Sequence, residues 1–302
     1  MIVSKEPYMV NFDLAIIGLG YESRATQAYI KQKELFKDVI VIGYNKHNDV
    51  FHYHQNKALY EHDALNIYEG DDIDVFNFCK NKVLSFVVDS PINVFVDITV
   101  MSRHRLATII LMLIKELPSK SKITISYSPS EFIPPSEQTS PIKIIDDISH
   151  YLGSYLGDLS LPTSLILGLG YEKDKALGLC NYLDVQHTFL FSPKSSEIRF
   201  EEHVYKNNQF LIESIGNNRI FYYSVESPYT TYLDLKHMVL SLSDYSRPLL
   251  IPLGPKILSA ISVIIGYELS PKLPVWRASS EHNETPQDRP PSGNQILLSL
   301  EI

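Results

Sequence analysis

Short apolar runs alternate with longer polar or amphipathic stretches along the whole chain. In the first half, the runs cover Leu14–Gly20, Val39–Tyr44, Asn93–Asp97 and Lys122–Tyr127. Continuous apolar runs of this kind are typical of strands buried on both faces of a parallel sheet. Before the last run, apolar residues recur at helical spacing from Leu106 to Leu117. Because predicted strands alternate with predicted helices, the pattern indicates an α/β fold.

The second half of the chain repeats this order. Residues 16–22 read IIGLGYE and residues 166–172 read ILGLGYE, so six of seven positions match at a spacing of 150. The flanking features also agree, because apolar runs and one helical pattern follow in the same order, at His187–Phe191, Pro248–Pro252, Leu258–Ile265 and Leu273–Arg277. In both halves a proline-rich loop then precedes a closing run, with loops at Ser128–Pro141 and Ser279–Ser292 and runs at Ile142–Ile148 and Gln295–Ile302. Seven features in one order favour an internal duplication.

The duplication predicts two Rossmann-like domains, residues 1–155 and 156–302, each with a mostly parallel sheet. Each half is expected to run strand, glycine turn, helix, strand, helix, strand, helix, strand. Each closing run is expected to pair antiparallel at the edge of its own sheet. The linker is predicted near Leu152–Pro162, where two glycines and a proline interrupt any helix.

Composition indicates a folded protein of the cytoplasm. Of 302 residues, 44% are hydrophobic and 21% are charged, which excludes a disordered chain or a disulfide-stapled miniprotein. The longest apolar runs fall short of the ~20 residues that a membrane span needs, and the N-terminal residues lack a signal pattern. The two cysteines suit a reducing compartment and cannot form a structural zinc site by themselves. A net charge of −8 predicts no general attraction to nucleic acid or to acidic membranes.

Candidate ligand-binding segments lie where open α/β sheets bind ligands, beyond the carboxyl ends of the strands. Two segments in each half fall there: Gly18–Arg24 and Asp97–Arg105, then Gly168–Lys175 and Pro252–Lys256. A dinucleotide-binding turn would need a third glycine, where this chain has Ser23 and Lys173, and an acid after the second strand. Neither half has these features, which argues against dinucleotide oxidoreductases and ordinary methyltransferases.

Glu22 and Glu172 are unexpected in such turns, because a carboxylate would repel a phosphate. One interpretation is that each orients the following helix, where a negative charge near the N-terminus is favourable. The other is that they contact a ribose, a base edge or a basic partner. Arg24 would then pair with Glu22 or reach the ligand itself.

The run Ser102-Arg103-His104-Arg105 opens a predicted helix, at the end where the helix dipole disfavours cations. One interpretation is that nearby carboxylates such as Asp97 compensate the arginines. The alternative is that the helix N-terminus, Ser102 and Arg103 form an anion site for a phosphate or phosphodiester. Lys256 takes the corresponding place in the second half, and this repetition favours ligand binding.

The segment DITVMSRHRLATIIL resembles the strand-to-helix turn of CARF domains, the Rossmann-like sensors of cyclic oligonucleotides in bacterial defence. Asp97, Thr99, Ser102 and Arg103 match that turn, while Val100 and Met101 stand where the family has two glycines. PLGPKILSAI in the second half has the glycine and the lysine of the pattern but not its hydroxyl residues. SAVED domains, which resemble two such units fused in one chain, are similar in layout. The resemblance implies a sensor of nucleotide-like ligands in an antiviral defence system, whose effector activity would reside in a separate protein.

Three hypotheses follow. In the first, the chain is a sensor or scaffold that binds a nucleotide-like anion and acts with a protein partner or as a homo-oligomer. In the second, it is an enzyme, a phosphodiesterase or N-glycosidase, with Glu22 or Asp97 as the acid–base residue. In the third, it is an interaction subunit with a vestigial pocket. No cofactor or metal site is predicted, since His52 and His54 fit a solvated surface better than a metal site. The predicted ligand-binding residues are Gly18, Gly20, Tyr21, Glu22, Arg24, Thr99, Ser102 and Arg103 in the first half, and Gly168, Gly170, Glu172, Lys173, Gly254 and Lys256 in the second.

Overall fold

A computed structural model describes residues 1–86, 90–135, 141–152, 157–280 and 285–302. The chain forms two compact units. Unit 1 comprises Met1–Glu131 together with Thr285–Ile302, and unit 2 comprises Phe132–Glu284. Each unit is an α/β structure built on a mostly parallel sheet, which confirms the predicted fold class.

Unit 1 is built on a seven-stranded sheet. Its elements, numbered along the whole chain, are β1 (Ile2–Ser4), β2 (Leu14–Gly18), α1 (Gln27–Gln32), β3 (Val39–Gly43), α2 (Tyr53–His62), β4 (Asn66–Glu69), α3 (Asp72–Phe86), β5 (Asn93–Asp97), α4 (Arg103–Glu116), β6 (Lys122–Tyr127) and β13 (Ile296–Glu301). The strand order is β1-β13-β6-β5-β2-β3-β4. The five strands from β6 to β4 are parallel, whereas β13 runs antiparallel to both β6 and β1.

Unit 2 has the same order of elements. They are β7 (Ile144–Asp147), β8 (Thr163–Gly168), α5 (Lys175–Leu183), β9 (His187–Lys194), α6 (Ile198–Ile215), β10 (Ile220–Ser224), α7 (Pro228–Ser243), β11 (Arg247–Pro252), α8 (Lys256–Glu268) and β12 (Trp276–Ser279). Four parallel strands lie in the order β10-β9-β8-β11, and β12 pairs antiparallel with β7. A parallel bridge between Leu250 and Val275 joins the two sheets. Short 3₁₀ turns cover Lys33–Leu35, His150–Leu152 and Asn217–Arg219.

The closing strands are exchanged between the two halves of the sequence. β13, which was expected to close the second half, pairs with β6 in unit 1, and β7, which was expected to close the first half, pairs with β12 in unit 2. The units therefore differ from the predicted division at residues 155 and 156. Both strands do pair antiparallel, as the sequence predicts.

Side-chain chemistry explains the exchange. Along β13, Ile296, Leu298 and Leu300 are at most 5% exposed and fill the core of unit 1. If β7 took this place with the two strands aligned at their first residues, Asp146 would replace Leu298. Burying an unpaired carboxylate there would cost far more than burying a leucine, so in this register β13 fits the position better than β7.

The central strands and the helices that follow them form the core. All five residues of β2 are buried, and so is every residue of α4 from Arg105 to Ile114. In the second repeat, residues 257–266 of α8 are likewise buried. A helix buried on all sides keeps a fixed position, so the residues that begin α4 and α8 are held firmly at the carboxyl edge of each sheet.

The polar stretch after the second strand contains more structure than the sequence predicts. A single helix was expected, but each unit has a helix, a strand and a second helix there, with β4 and β10 as the added strands. Both lie at a sheet edge and are only partly buried. An edge strand of this kind needs no continuous apolar run, which explains why the pattern did not indicate β4. Among the described residues, no helix is long and apolar enough to cross a membrane.

Candidate functional site

In unit 1 the two predicted segments meet at the point where the strand order reverses. β2 lies between β5 and β3, so the turn after β2 and the turn after β5 leave the sheet side by side. The first turn carries Gly18, Gly20, Tyr21, Glu22 and Arg24. The second begins at Asp97 and carries Thr99, Ser102 and Arg103 before α4.

The glycines of the first turn make room for the second turn. A Cβ atom at Gly18 would lie 2.7 Å from Cγ2 of Val100, and one at Gly20 would lie 3.0 Å from its Cβ. Both distances are too short for a side chain without displacement of Val100. The close approach that these glycines permit is therefore made by the chain itself, and Val100 packs where a ligand backbone contact was expected.

In each unit an asparagine side chain holds the glycine turn in place. This asparagine lies on α2 in unit 1 and on α6 in unit 2. Nδ2 of Asn56 donates hydrogen bonds of 2.9 Å to the carbonyl oxygens of Gly20 and Glu22. In unit 2, Nδ2 of Asn208 donates one of 2.9 Å to the carbonyl oxygen of Gly170. Neither asparagine was predicted as part of the site. The sequence does contain a signal for them, because an asparagine follows the glycine turn at nearly the same spacing in both repeats.

Glu22 and Arg24 form a buried ion pair, one of the two arrangements considered for Arg24. Nε of Arg24 lies 2.6 Å from Oε2 of Glu22, and the two residues are 3% and 5% exposed, respectively. Burial by itself lowers the pKa of Arg24, but the charge and the hydrogen bond of Glu22 raise it above its usual value. The guanidinium is thus held charged in the interior by the carboxylate.

A chain of hydrogen bonds connects this pair to the end of β5. Nη1 of Arg24 donates a 2.9 Å bond to the carbonyl oxygen of Ser128, just beyond β6, and the amide of Ser128 donates a 2.9 Å bond to Oγ1 of Thr99. The hydroxyl of Thr99 in turn donates to Oδ1 of Asp97. Asp97 and Thr99 are fully buried. The network ties the carboxyl ends of three adjacent strands together, and Ser128 is a member that the sequence analysis did not identify.

Residues from the far end of the sequence complete the site. Nη1 of Arg289 donates a 3.1 Å hydrogen bond to Oε1 of Glu22, and Asp288 accepts hydrogen bonds from the amide and the hydroxyl of Ser23. Neither residue was predicted to belong to the site. The adjacent charges Asp288-Arg289 within the proline-rich loop were the available signal.

The first turn of α4 contains two arginines, of which Arg103 is half-buried and Arg105 is buried. Ser102 caps the helix by accepting a 3.0 Å hydrogen bond from the amide of Arg105, and Arg103 is half-buried as the first helical residue. Arg105 is 2% exposed and lies against the Tyr44 ring, with Nε 2.7 Å from a carboxylate oxygen of Asp72. Its other nitrogens donate to the carbonyl oxygens of residue 43, at the end of β3, and residue 70, just after β4. Arg105 is thus a structural residue.

Unit 2 has the same turn but different surroundings for its charges. A Cβ at Gly170 would lie 3.0 Å from the carbonyl oxygen of Leu253, one at Gly254 would lie 2.7 Å from that of Leu169, and one at Gly168 would collide with Leu258. The glycines again allow the chain to pack on itself. The predicted charged residues lie at or near the surface: Glu172 pairs with Lys175 at 2.8 Å, Lys173 is exposed, and Lys256 is half-buried as the first residue of α8.

Lys173 also lines a cavity of about 690 Å³ in unit 2, between residues 141–146 and α5. Within the described part of the chain, no three or more histidine, cysteine, aspartate or glutamate side chains are grouped as a metal site would require. His54 is exposed against the Tyr53 ring, whereas Nε2 of His52 lies 3.4 Å from Oδ2 of Asp288.

The fold and the paired turns define an α/β protein with two Rossmann-like units. No family model matches the sequence, and no curated protein matches it. Among solved structures, phosphoethanolamine N-methyltransferase 1 of Haemonchus contortus, in complex with phosphoethanolamine and S-adenosylhomocysteine, has a TM-score of 0.27 and 11% identity, covering 86% of this chain and 73% of its own. The cytoplasmic domain of a prokaryotic cation chloride cotransporter has a TM-score of 0.25 and 9% identity, covering 90% of this chain and 98% of its own. At TM-scores this low, neither likeness carries an argument about the site.

Proposed function

We propose that this chain binds a nucleotide-like anion at the carboxyl edge of unit 1 and acts as a sensor or scaffold with a separate effector. The observation that carries the proposal is the repeated position of one cation. Arg103 is the first residue of α4 and Lys256 is the first residue of α8. These helices follow β5 and β11, which pair with the first parallel strand of their units, β2 and β8.

A cation at this place is unfavourable for the helix itself, because the helix dipole is positive at its N-terminus. A bound anion makes a cation favourable at this place, because the amide groups of the first turn and the cationic side chain attract the anion together. Ser102, which is exposed and caps α4, adds a hydroxyl beside Arg103. A phosphate group suits these three donors.

Aromatic rings near the glycine turn support a nucleotide as the bearer of that phosphate. The ring centroid of Tyr21 lies 6.0 Å from that of Phe51 and 6.2 Å from that of His47. Phe51 is 56% exposed, so this group offers an accessible apolar ring. Bases stack on such rings with a favourable energy of about 1–3 kcal/mol each. The resemblance of Asp97–Arg103 to the CARF turn supports the same ligand class and a defence role.

The positions of the carboxylates favour binding over catalysis. Asp97 is fully buried, and Glu22 is neutralised by Arg24 and Arg289. Neither residue offers an accessible carboxylate for proton transfer to a ligand. A second candidate function, the interaction subunit with a vestigial pocket, is favoured by one observation: Val100 packs against Gly18 and Gly20, two residues predicted to bind the ligand.

A thermal-shift screen against mono-, di- and cyclic nucleotides tests the proposal. A ligand at 100 times its Kd stabilises the folded state by about 2.7 kcal/mol, which is readily measured. The shift should disappear in Arg103→Ala and persist in Lys115→Ala, which removes an exposed cation from the other end of the same helix. Mass spectrometry should recover the ligand unchanged. A shift that persists in Arg103→Ala would contradict the proposed site, and no shift with any nucleotide would favour the interaction subunit.

A further inference from the structure

Residues 285–295, here called the strap, lie over the glycine turn and α1 of unit 1. Asp288 bonds to Ser23, and Arg289 bonds to Glu22. Further along the strap, the side chains of Lys31 and Gln27 in α1 donate hydrogen bonds to the carbonyl oxygens of Gly293 and Asn294, respectively. The side chain of Gln32 donates to the side chain of Gln295. The strap is thus attached to α1 and to the turn that precedes it.

The carboxylate of Asp288 is held in the way that proteins hold a bound anion. Its Oδ1 accepts 2.7 and 2.8 Å hydrogen bonds from the amides of Ser23 and Arg289, and its Oδ2 accepts a 3.1 Å bond from the hydroxyl of Ser23. Nε2 of His52 lies 3.4 Å from Oδ2. The amide of Arg289 belongs to the strap, whereas the amide and hydroxyl of Ser23 and the ring nitrogen of His52 remain when the strap leaves. These remaining groups would suit a phosphate oxygen equally well.

We propose that Asp288 occupies an anion subsite of the glycine turn and that the strap competes with the phosphate of a ligand for it. This inference rests on the proposed function and deepens it, because it places one anionic group of the ligand at Ser23. Ligand binding and strap closure then exclude each other. Release of the strap is the structural change that a separate effector would detect.

The strap contacts are of a kind that a ligand can displace. The side chains of Asp288 and Arg289 are 25% and 33% exposed, so water screens their interactions. The Glu22–Arg24 pair beneath them is buried and stays intact when the strap leaves. Opening therefore exposes the subsite while the turn keeps its shape.

Unit 2 does not repeat this subsite. Lys173 stands at the position of Ser23 and is exposed, and Glu172 pairs with Lys175 at the surface. The hydroxyl that Ser23 donates to Asp288 in unit 1 therefore has no counterpart at Lys173. This asymmetry predicts one regulated anion subsite in the chain.

The test uses inorganic pyrophosphate, the full chain and the Asp288→Asn variant, with Asp244→Asn as a control at an exposed position in unit 2. Calorimetry should show Asp288→Asn binding pyrophosphate roughly five- to tenfold more tightly than the wild type and the control, as expected for loss of an internal competitor. Hydrogen exchange should show the amides of residues 285–295 exchanging faster when pyrophosphate is added to the wild type.

The outcomes separate this inference from the proposed function. If nucleotides bind in an Arg103-dependent manner but Asp288→Asn binds pyrophosphate no more tightly than the wild type, the inference is overturned and the function stands. If pyrophosphate binds without any change in exchange of the strap, the inference is also overturned. If Asp288→Asn binds pyrophosphate and the wild type does not, the inference is supported. Absence of binding by both proteins overturns it.

Discussion

Replacing Glu22 by glutamine should destabilise unit 1 strongly, because it leaves the buried guanidinium of Arg24 without its anion. Arg24 is 3% exposed, and its pKa stays above the usual value because the charge and hydrogen bond of Glu22 outweigh the effect of burial. Glutamine keeps the size of the side chain and can still accept a hydrogen bond. The change therefore removes the charge with little effect on packing.

The expected magnitude follows from the burial of the pair. Removing one partner of a buried ion pair costs about 3–5 kcal/mol, because the remaining charge stays buried without compensation. The second partner of Glu22, Arg289, is one-third exposed, so losing this contact adds at most about 1 kcal/mol. For a unit of about 150 residues, 3–5 kcal/mol corresponds to a fall in Tm of about 6–20 °C.

The same motif supplies a matched control. Glu172 holds the equivalent position in unit 2, but its side chain is 50% exposed and pairs with Lys175 at the surface. Glu172→Gln should change the free energy of unfolding by less than about 1 kcal/mol. Urea unfolding followed by circular dichroism measures both variants. A Glu22→Gln cost below about 1 kcal/mol, or equal costs in the two variants, would refute the assignment of Arg24 as a buried charge that depends on Glu22.

Three further predictions follow. The fragment 1–155 should give no cooperative thermal transition because it lacks β13, whereas a chain joining residues 1–131 directly to 285–302 should melt cooperatively. Arg105→Met should lower the urea midpoint, because each buried acceptor left without a donor costs about 1–3 kcal/mol; an unchanged midpoint would contradict its structural role. Burial raises the pKa of Cys79 to about 12, so the unfolded chain loses its proton first as the pH rises and stability falls above about pH 9. The Cys79→Ala variant should show a weaker fall when urea unfolding is compared at neutral and alkaline pH.

The strands that were clearest in the sequence are those buried on both faces. β2 and β3 are apolar throughout, β5 is apolar at its three central residues, and most of β8 and β11 is apolar as well, because helices cover these strands on each side. β4 was missed because a partly exposed edge strand can be as polar as a loop, whereas β10 (IFYYS) was missed although its residues are mostly aromatic or apolar. The sequence pattern therefore identifies central strands more readily than edge strands.

The site could be predicted only where local sequence forms it. The glycine turn and the first turn of α4 were located correctly at the carboxyl edge, because a strand end and a helix start define them. Asp288 and Arg289 lie 265 and 267 residues along the chain from Ser23 and Glu22. No periodicity or spacing connects residues so distant, and the exchange of the closing strands removed the guidance that the repeat would have given.

The exchange of the closing strands also explains the side from which the strap reaches unit 1. β13 runs antiparallel to β6, and its first residue, Ile296, pairs with Tyr127, the last residue of β6. The chain must therefore enter β13 from the carboxyl edge of the sheet, which is the edge where the turns after β2 and β5 leave it. Residues 285–295 therefore approach Ile296 from the edge at which Ser23 and Glu22 lie. The apolar residues that anchor β13 in unit 1 thereby also bring a carboxylate and a guanidinium to the glycine turn.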